Sequence, residues 1–285
     1  DWQKSYTRND TLGRQEQWQG RALLDWEPTE RLTVQINATG WIDKSDTIAP
    51  QVRKIDPQVP AGVISGVANY PLPPDDPRAA DWTPDRDYAR DDWFWMTAGR
   101  INYELSDDLR LVSITAYQKF STKAFYDNDG YTYLTGDRYG TGTVKTFNQE
   151  LRLEGENGPI QWILGGNYSH HKVHQLFTYY LKDASNAHGV FAGLGPIGPN
   201  GELGFIGPDG LDFATANGLS DNTIKSYAVF GNAEWEIVPS LTLQGGIRYT
   251  KTNRDGRSCA VATDAAGAAL SLGTQQFYAN IGTKT

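Results

Sequence analysis

Three histidines, His170, His171 and His174, lie within five residues and invite a metal site. Zinc holds its ligand atoms at about 2 Å. On an extended strand His170 and His174 share a face but stand roughly 13 Å apart at about 3.3 Å per residue, and His171 points the other way. A polar rim at the end of a strand is the better reading. Glu150, Arg152 and Glu154 could form an acid/base cluster. Alternation puts all three on one polar face, however, where charged side chains are expected without a catalytic role. Asp127-Asn128-Asp129-Gly130 offers two carboxylates, but it is too short for a calcium loop and reads as a turn. The glycine-rich stretch 189–210 lacks a GKS or GKT ending and a strand-to-helix context, so it is no phosphate loop. These residues give no catalytic group, no metal and no cofactor, and the chain reads as a non-enzyme.

The elements that position these residues are long alternating strands. From Ile224 to Asn253, Tyr227, Val229, Gly231, Ala233 and Trp235 alternate with Ser226, Asn232, Glu234 and Glu236, with Phe230 the one exception. After Val238-Pro239-Ser240, Leu241, Leu243, Gly245, Ile247 and Tyr249 alternate with Thr242, Gln244, Gly246, Arg248 and Thr250. Period-two alternation marks a strand with one apolar and one polar face, and the break makes a hairpin. The same pattern predicts hairpins at about 14–43, 91–123 and 144–174. The middle of the second, VSITAY, also alternates in the other phase, which a bulge or a strand packed on both faces would explain. Long connections fall at about 44–90, 124–143 and 182–222, the last carrying the turn sequences IGPNG at 197–201 and IGPDG at 206–210. A polar, alanine-rich tail follows from Asp255, with Cys259 in a loop.

The breaks repeat. Trp26-Glu27, Tyr103-Glu104 and Trp235-Glu236 each stand six residues before Leu32, Leu109 or Leu241, and Val34, Leu111 or Leu243 follows two residues later. Short turns therefore share one end and long loops the other, as in outer-membrane barrels. The arms exceed the usual 5–6 residues of soluble strands. Aromatic residues at both ends of the apolar faces (Trp235 by the turn, Tyr227 and Tyr249 away from it) fit the girdles of a lipid-facing band.

Composition narrows the class. The 285 residues include 30 glycines, 15 tyrosines, 10 phenylalanines and 9 tryptophans, and mean hydropathy is −0.54. No apolar run reaches the roughly 18 residues of a membrane helix. A net charge of −8 argues against a nucleic-acid partner. One cysteine excludes an internal disulfide framework. The opening DWQKSYTRND has neither the charged nor the apolar region of a signal peptide.

The segments FNQELRLEGENGPIQWILGGNYS, SYAVFGNAEWEIVPSLTLQGGIRYTKTNRD and LRLVSITAYQKF resemble the barrel of a TonB-dependent outer-membrane receptor, over most of 91–254. The resemblance implies an all-β fold: part of an antiparallel transmembrane barrel of about 22 strands, here about eight long strands in four hairpins with short periplasmic turns and long extracellular loops. It implies import of a scarce solute (iron chelate, cobalamin or glycan), with outer-membrane lipid, an N-terminal plug and the TonB complex as partners. We expect residues 1–285 to be a middle part of one such barrel domain, with the plug and the remaining strands outside it. The rivals are a passive porin-like or small barrel and a soluble all-β carbohydrate-binding protein. Trp82, Tyr126, Tyr131, Tyr133 and Tyr139, in loops, are the expected ligand-stacking residues. Trp26, Tyr103 and Trp235 are expected in the interface girdle by the turns. Cys259 is expected to pair with a cysteine beyond Thr285.

Overall fold

The computed structural model describes residues 1–56, 65–180 and 215–261. Eight strands dominate it: β3 (Gln17–Thr29), β4 (Leu32–Asp43), β5 (Asp92–Ser106), β6 (Leu109–Tyr126), β7 (Asp137–Asn157), β8 (Ile160–Tyr180), β9 (Thr215–Val238) and β10 (Leu241–Val261). They pair antiparallel in sequence order in one sheet, with β3 and β10 at its edges among the described residues. The four hairpins turn on two residues each: Glu30-Arg31, Asp107-Asp108, Gly158-Pro159 and Pro239-Ser240.

The recurring aromatic-to-leucine spacing is a bulged turn. Trp26 pairs with Val34, Tyr103 with Leu111 and Trp235 with Leu243, and the register slips just below each pair, between Trp26 and Thr29, Glu104 and Ser106, and Leu241 and Thr242. Each aromatic ring thus lies opposite an aliphatic chain on the same face, a favourable cross-strand pair. The β7–β8 hairpin lacks the repeat because its aromatic sits on the returning strand: Trp162 faces Gly155, where a Cβ would run into the indole. In β6 the pairing runs unbroken from Ser121 to Arg110, so the VSITAY ambiguity is not a bulge. Val112 is fully buried on the polar face, and Leu109 and Leu111 lie on the other. Phe230 breaks alternation because its ring covers Gly165 and carries Arg248, whose guanidinium lies 5.4 Å from the ring centre.

Several boundaries differ from the sequence reading. The connection after β6 spans 127–136 rather than 124–143, so Tyr126 and Tyr139 belong to strands. There Gly140 and Gly142 interrupt the apolar signal without interrupting the pairing to β6. β9 begins at Thr215, inside the expected 182–222 loop, and β10 runs on to Val261, so Cys259 pairs with Leu219 in a strand rather than a loop. The IGPNG and IGPDG turns lie outside the described residues.

The two faces differ in chemistry and in crowding. One carries Leu24, Trp26, Ile36, Ile101, Leu151, Leu164, Val229 and Ile247, all exposed, Ile247 to 80%. The other carries the polar rows, and there Val112, Thr146 and Ala228 are buried within the sheet itself, as expected of the concave side of a coiled sheet.

At the loop end a small module packs on the sheet: β1 (Gln3–Lys4), β2 (Thr11–Leu12), the short helix α1 (Ser65–Ala68), and 44–56, 69–91 and 127–136. The described parts of this connection, 44–56 and 65–91, have little regular structure but are packed. Leu12, Ala49, Ala80, Trp82 and Tyr88 form its core, with Phe125 of β6 against them. The Gln3 amide bonds both ways to Ala49, at 2.7 and 2.8 Å. Thr47 ties the module to the sheet, its amide donating to Tyr88 O at 2.6 Å and its hydroxyl lying 2.6 Å from Phe125 O. Gly130, at φ 75°, seats the 127–136 loop against this module, where a Cβ would lie 2.6 Å from Pro50 O.

Gly130→Ala is therefore expected to destabilise the loop module by about 2 kcal/mol or more, combining left-handed strain with the clash. Gly158→Ala, at φ 59° with no atom near its added Cβ, should cost only about 1 kcal/mol. Hydrogen exchange in the purified receptor checks this: amides at 127–136 should exchange roughly 30-fold faster in the first variant only. Equal effects from the two variants contradict the packing.

Candidate functional site

The concave polar face is banded. Toward the turns it is ionic. Arg110 donates twice to Glu154 Oε2, its Nε at 2.9 Å. Arg152 reaches Glu150 at 3.2 Å, and its Nε sits 2.6 Å from Glu154 Oε1 without hydrogen-bond alignment. The Glu150–Arg152–Glu154 cluster is thus a set of paired charges in which Glu154 is shared by two arginines. Arg100, Glu104, Arg152, Asn232, Glu234 and Gln244 border an open cleft of about 650 Å³. Its side chains offer ion pairs and hydrogen bonds to whatever fills the concavity.

Toward the loops the same face turns apolar. Trp41, Phe94, Phe120, Val144 and Val173 lie directly abreast on β4 to β8. Trp41 stacks on Phe94 with centroids 6.1 Å apart and tilts against Phe120 at 5.8 Å. The sequence reading missed this row. Its signal was Phe94 standing between Trp93 and Trp95, an aromatic out of phase with the apolar face.

The expected stacking residues are dispersed. Trp82 is 3% exposed, with Arg8 4.8 Å over its ring, so its faces are already covered. Tyr131 and Tyr133 pack edge-on against Tyr70, at 5.2 and 6.1 Å, and keep part of their surface. Tyr126 lies under Arg138, and Tyr139 lies beside Phe125. Trp26, Tyr103 and Trp235 all occupy the apolar face near the turns and are roughly half exposed. The histidines separate as alternation requires. His171 bonds Thr146 at 3.1 Å on the polar face, and His174 bonds Asp221 at 2.6 Å on the other. His170 faces Lys225 across the strands.

Asp127 and Asp129 form a turn. Asp127 Oδ1 accepts from the amides of Asp129 and Gly130 at 3.1 and 2.7 Å. Its other oxygen accepts from Thr83 N at 3.2 Å and lies 3.4 Å from the Tyr88 hydroxyl, which also reaches Asp137 at 2.8 Å. One phenol proton cannot serve both carboxyls. Burial pushes the Asp127 carboxyl up to about 8, and the neighbouring Asp129 adds to it. Burial also raises Asp129, and it raises the Tyr88 phenol, with Asp127 and Asp137 adding to it. A carboxyl held protonated in the folded state loses stability as pH climbs from the unfolded value near ~4 to the folded value, then levels off. The clasp between 81–91 and 127–136 should thus be tightest at or below about pH 4 and loosen steadily from there up to about pH 8. Asp127→Asn should flatten this dependence, read as hydrogen exchange of 127–136 at pH 5, 6.5 and 8; an unchanged slope contradicts a clasp that holds Asp127 protonated.

A family model described as TonB dependent receptor-like, beta-barrel, matches residues 54–282, more than half of the chain. No curated protein matches it in sequence. Among solved structures, the ferric yersiniabactin uptake receptor FyuA from Yersinia pestis superposes with a TM-score of 0.61 at 13% identity, over 92% of this chain and 34% of that one. The siderophore receptor PiuA from Acinetobacter baumannii gives 0.44 at 12% identity, over 88% and 40%. The chain thus spans about a third of the length of the first receptor, and at that identity the likeness concerns the fold alone. With the eight-stranded antiparallel sheet, its two-residue turns at one end and its long loops at the other, the family match leads to one conclusion: the chain belongs to the TonB-dependent receptors and forms part of their β-barrel.

Proposed function

We propose that these strands form part of the wall and outer loops of an outer-membrane receptor that takes up a scarce solute, of the iron-chelate type, with energy delivered through TonB. The banded concave wall carries the reading: ring faces next to the loops, where a solute arrives, and paired charges toward the turns. The ionic band is the surface for the plug of the same receptor, and Trp41, Phe94 and Phe120 line the way in. Tyr131 and Tyr133, still partly exposed on the loop module, join the capture surface. The edges of β3 and β10, unpaired among the described residues, support a larger barrel domain, since unpaired backbone groups are very costly in hydrocarbon. FyuA, which shares the fold, is named for uptake of a ferric chelate, and this suggests the solute class.

The test is uptake of radioactive iron chelates by iron-starved cells lacking the receptor and by cells complemented with it. The receptor should restore uptake, and removing TonB should abolish it. Trp41→Ala with Phe120→Ala should cut uptake about tenfold with barrel assembly intact, in keeping with stacking contributions of about 1.4 kcal/mol. Uptake independent of TonB would instead make the protein a passive channel.

A further inference from the structure

The apolar face ends, at the loop side, in a line of unpaired cations. Lys119, Lys145 and Lys172 stand directly abreast on β6, β7 and β8. The line continues with Lys225 on β9, beside His170, and with Lys251 on β10, which pairs with Tyr227. Like charges placed directly opposite on neighbouring strands destabilise a sheet. Among the described residues no carboxylate lies within ion-pair distance of any of these five; the outward carboxylate of Asp221 is engaged by His174. Lys119 rests its ammonium 4.8 Å from the centre of the Trp93 ring. Four of the five are exposed.

The line has a defined height. An aromatic belt runs on its turn side, at the next same-face position in Tyr117, Phe147, Tyr227 and Tyr249 and one position farther, beyond His170, in Tyr168. Lys172 lies ten residues beyond Trp162 on β8, and Lys225 ten residues beyond Trp235 on β9. Ten residues span about 33 Å of strand. Tilted by the 35–45° usual in such barrels, that is about 25 Å along the membrane normal, the height of a barrel's apolar band. The line also runs parallel to the membrane. The turn-side aromatics Trp26, Tyr103, Trp162 and Trp235 step toward the turns by about one residue per strand, and the lysines keep the same average from β6 to β10, level from β6 to β8 and then two residues per strand to β10. Five cations therefore stand just past the apolar band on the outward face, at headgroup level.

We propose that this line binds the phosphates of an anionic, multiply phosphorylated glycolipid of the outer leaflet, with Lys145, Lys172 and Lys225 as its centre. Phosphate oxygens between adjacent ammonium groups supply the counter-charge that the sheet lacks, and acyl chains beside Tyr168 and Tyr227 complete the seat. The inference rests on the outer-membrane placement above, not on the identity of the transported solute.

The test uses the full receptor, purified in mild detergent from outer membranes, with native mass spectrometry of retained lipid. Wild-type protein should keep a diphosphorylated glycolipid and exchange it for the same added lipid, but not for its dephosphorylated form. Lys145→Gln/Lys172→Gln/Lys225→Gln should lower retention at least tenfold, whereas the triple Lys→Arg variant should keep it. Heat-modifiable migration in the outer-membrane fraction reports placement separately; should the triple variant not assemble, Lys172→Gln alone should lower retention measurably. Equal retention in an assembled variant, equal retention of dephosphorylated lipid, or displacement by millimolar inorganic phosphate overturns the proposal.

Discussion

Backbone pairing is the constraint on which the rest depends. In hydrocarbon every amide and carbonyl must find a partner within the sheet, so each strand pairs along most of its length with its neighbours. That register decides which side chains share a row, and the rows decide the chemistry. Trp26, Val34, Ile101, Leu151, Val229 and Tyr249 lie in line on one face because the ladder puts them there. A one-residue slip anywhere would turn a strand's apolar side chains into the polar interior.

The bulged turns set the stagger. Each aromatic-to-aliphatic pair at the end of a hairpin fixes where the strand stops, and successive hairpins stop farther along the sheet. Tilt follows, and with it the level at which aromatic and charged residues emerge. The polar face, crowded by curvature, serves different ends along its length: ion pairs centred on Glu154 near the turns, rings centred on Trp41 near the loops. The loop module adds a packed lid edge, held by Gln3, Thr47 and Asp81, the last accepting from Tyr70 at 2.7 Å.

Much of this was legible in the sequence. Four hairpins, their short turns and the two faces could be read because burial on one side imposes period two. The same rule kept the three histidines apart and made Glu150, Arg152 and Glu154 neighbours. What could not be read depends on contacts across strands or between distant loops. The inner row from Trp41 to Val173 and the lysine line each gather one residue per strand from chain positions far apart, so no local window reveals them. Trp82 gave the signal of an exposed loop aromatic, yet residues 1–16 fold over it. Glycines at 140 and 142 hid the start of β7, because pairing there rests on backbone rather than on apolar side chains.

The central claim is that one face of the sheet meets lipid and the other the barrel interior. The most direct measurement is cysteine scanning of β8 from Ile163 to Val173 in the full receptor in intact outer membranes, with Cys259 replaced by serine. Each position is probed with a water-soluble maleimide and, through an attached fluorophore, with a lipid-soluble quencher. The account predicts strict alternation: Leu164, Gly166 and Tyr168 reached from lipid, and Ile163, Asn167 and Ser169 from water. Equal labelling of both sets by the water-soluble reagent, with no quenching from lipid, would contradict it.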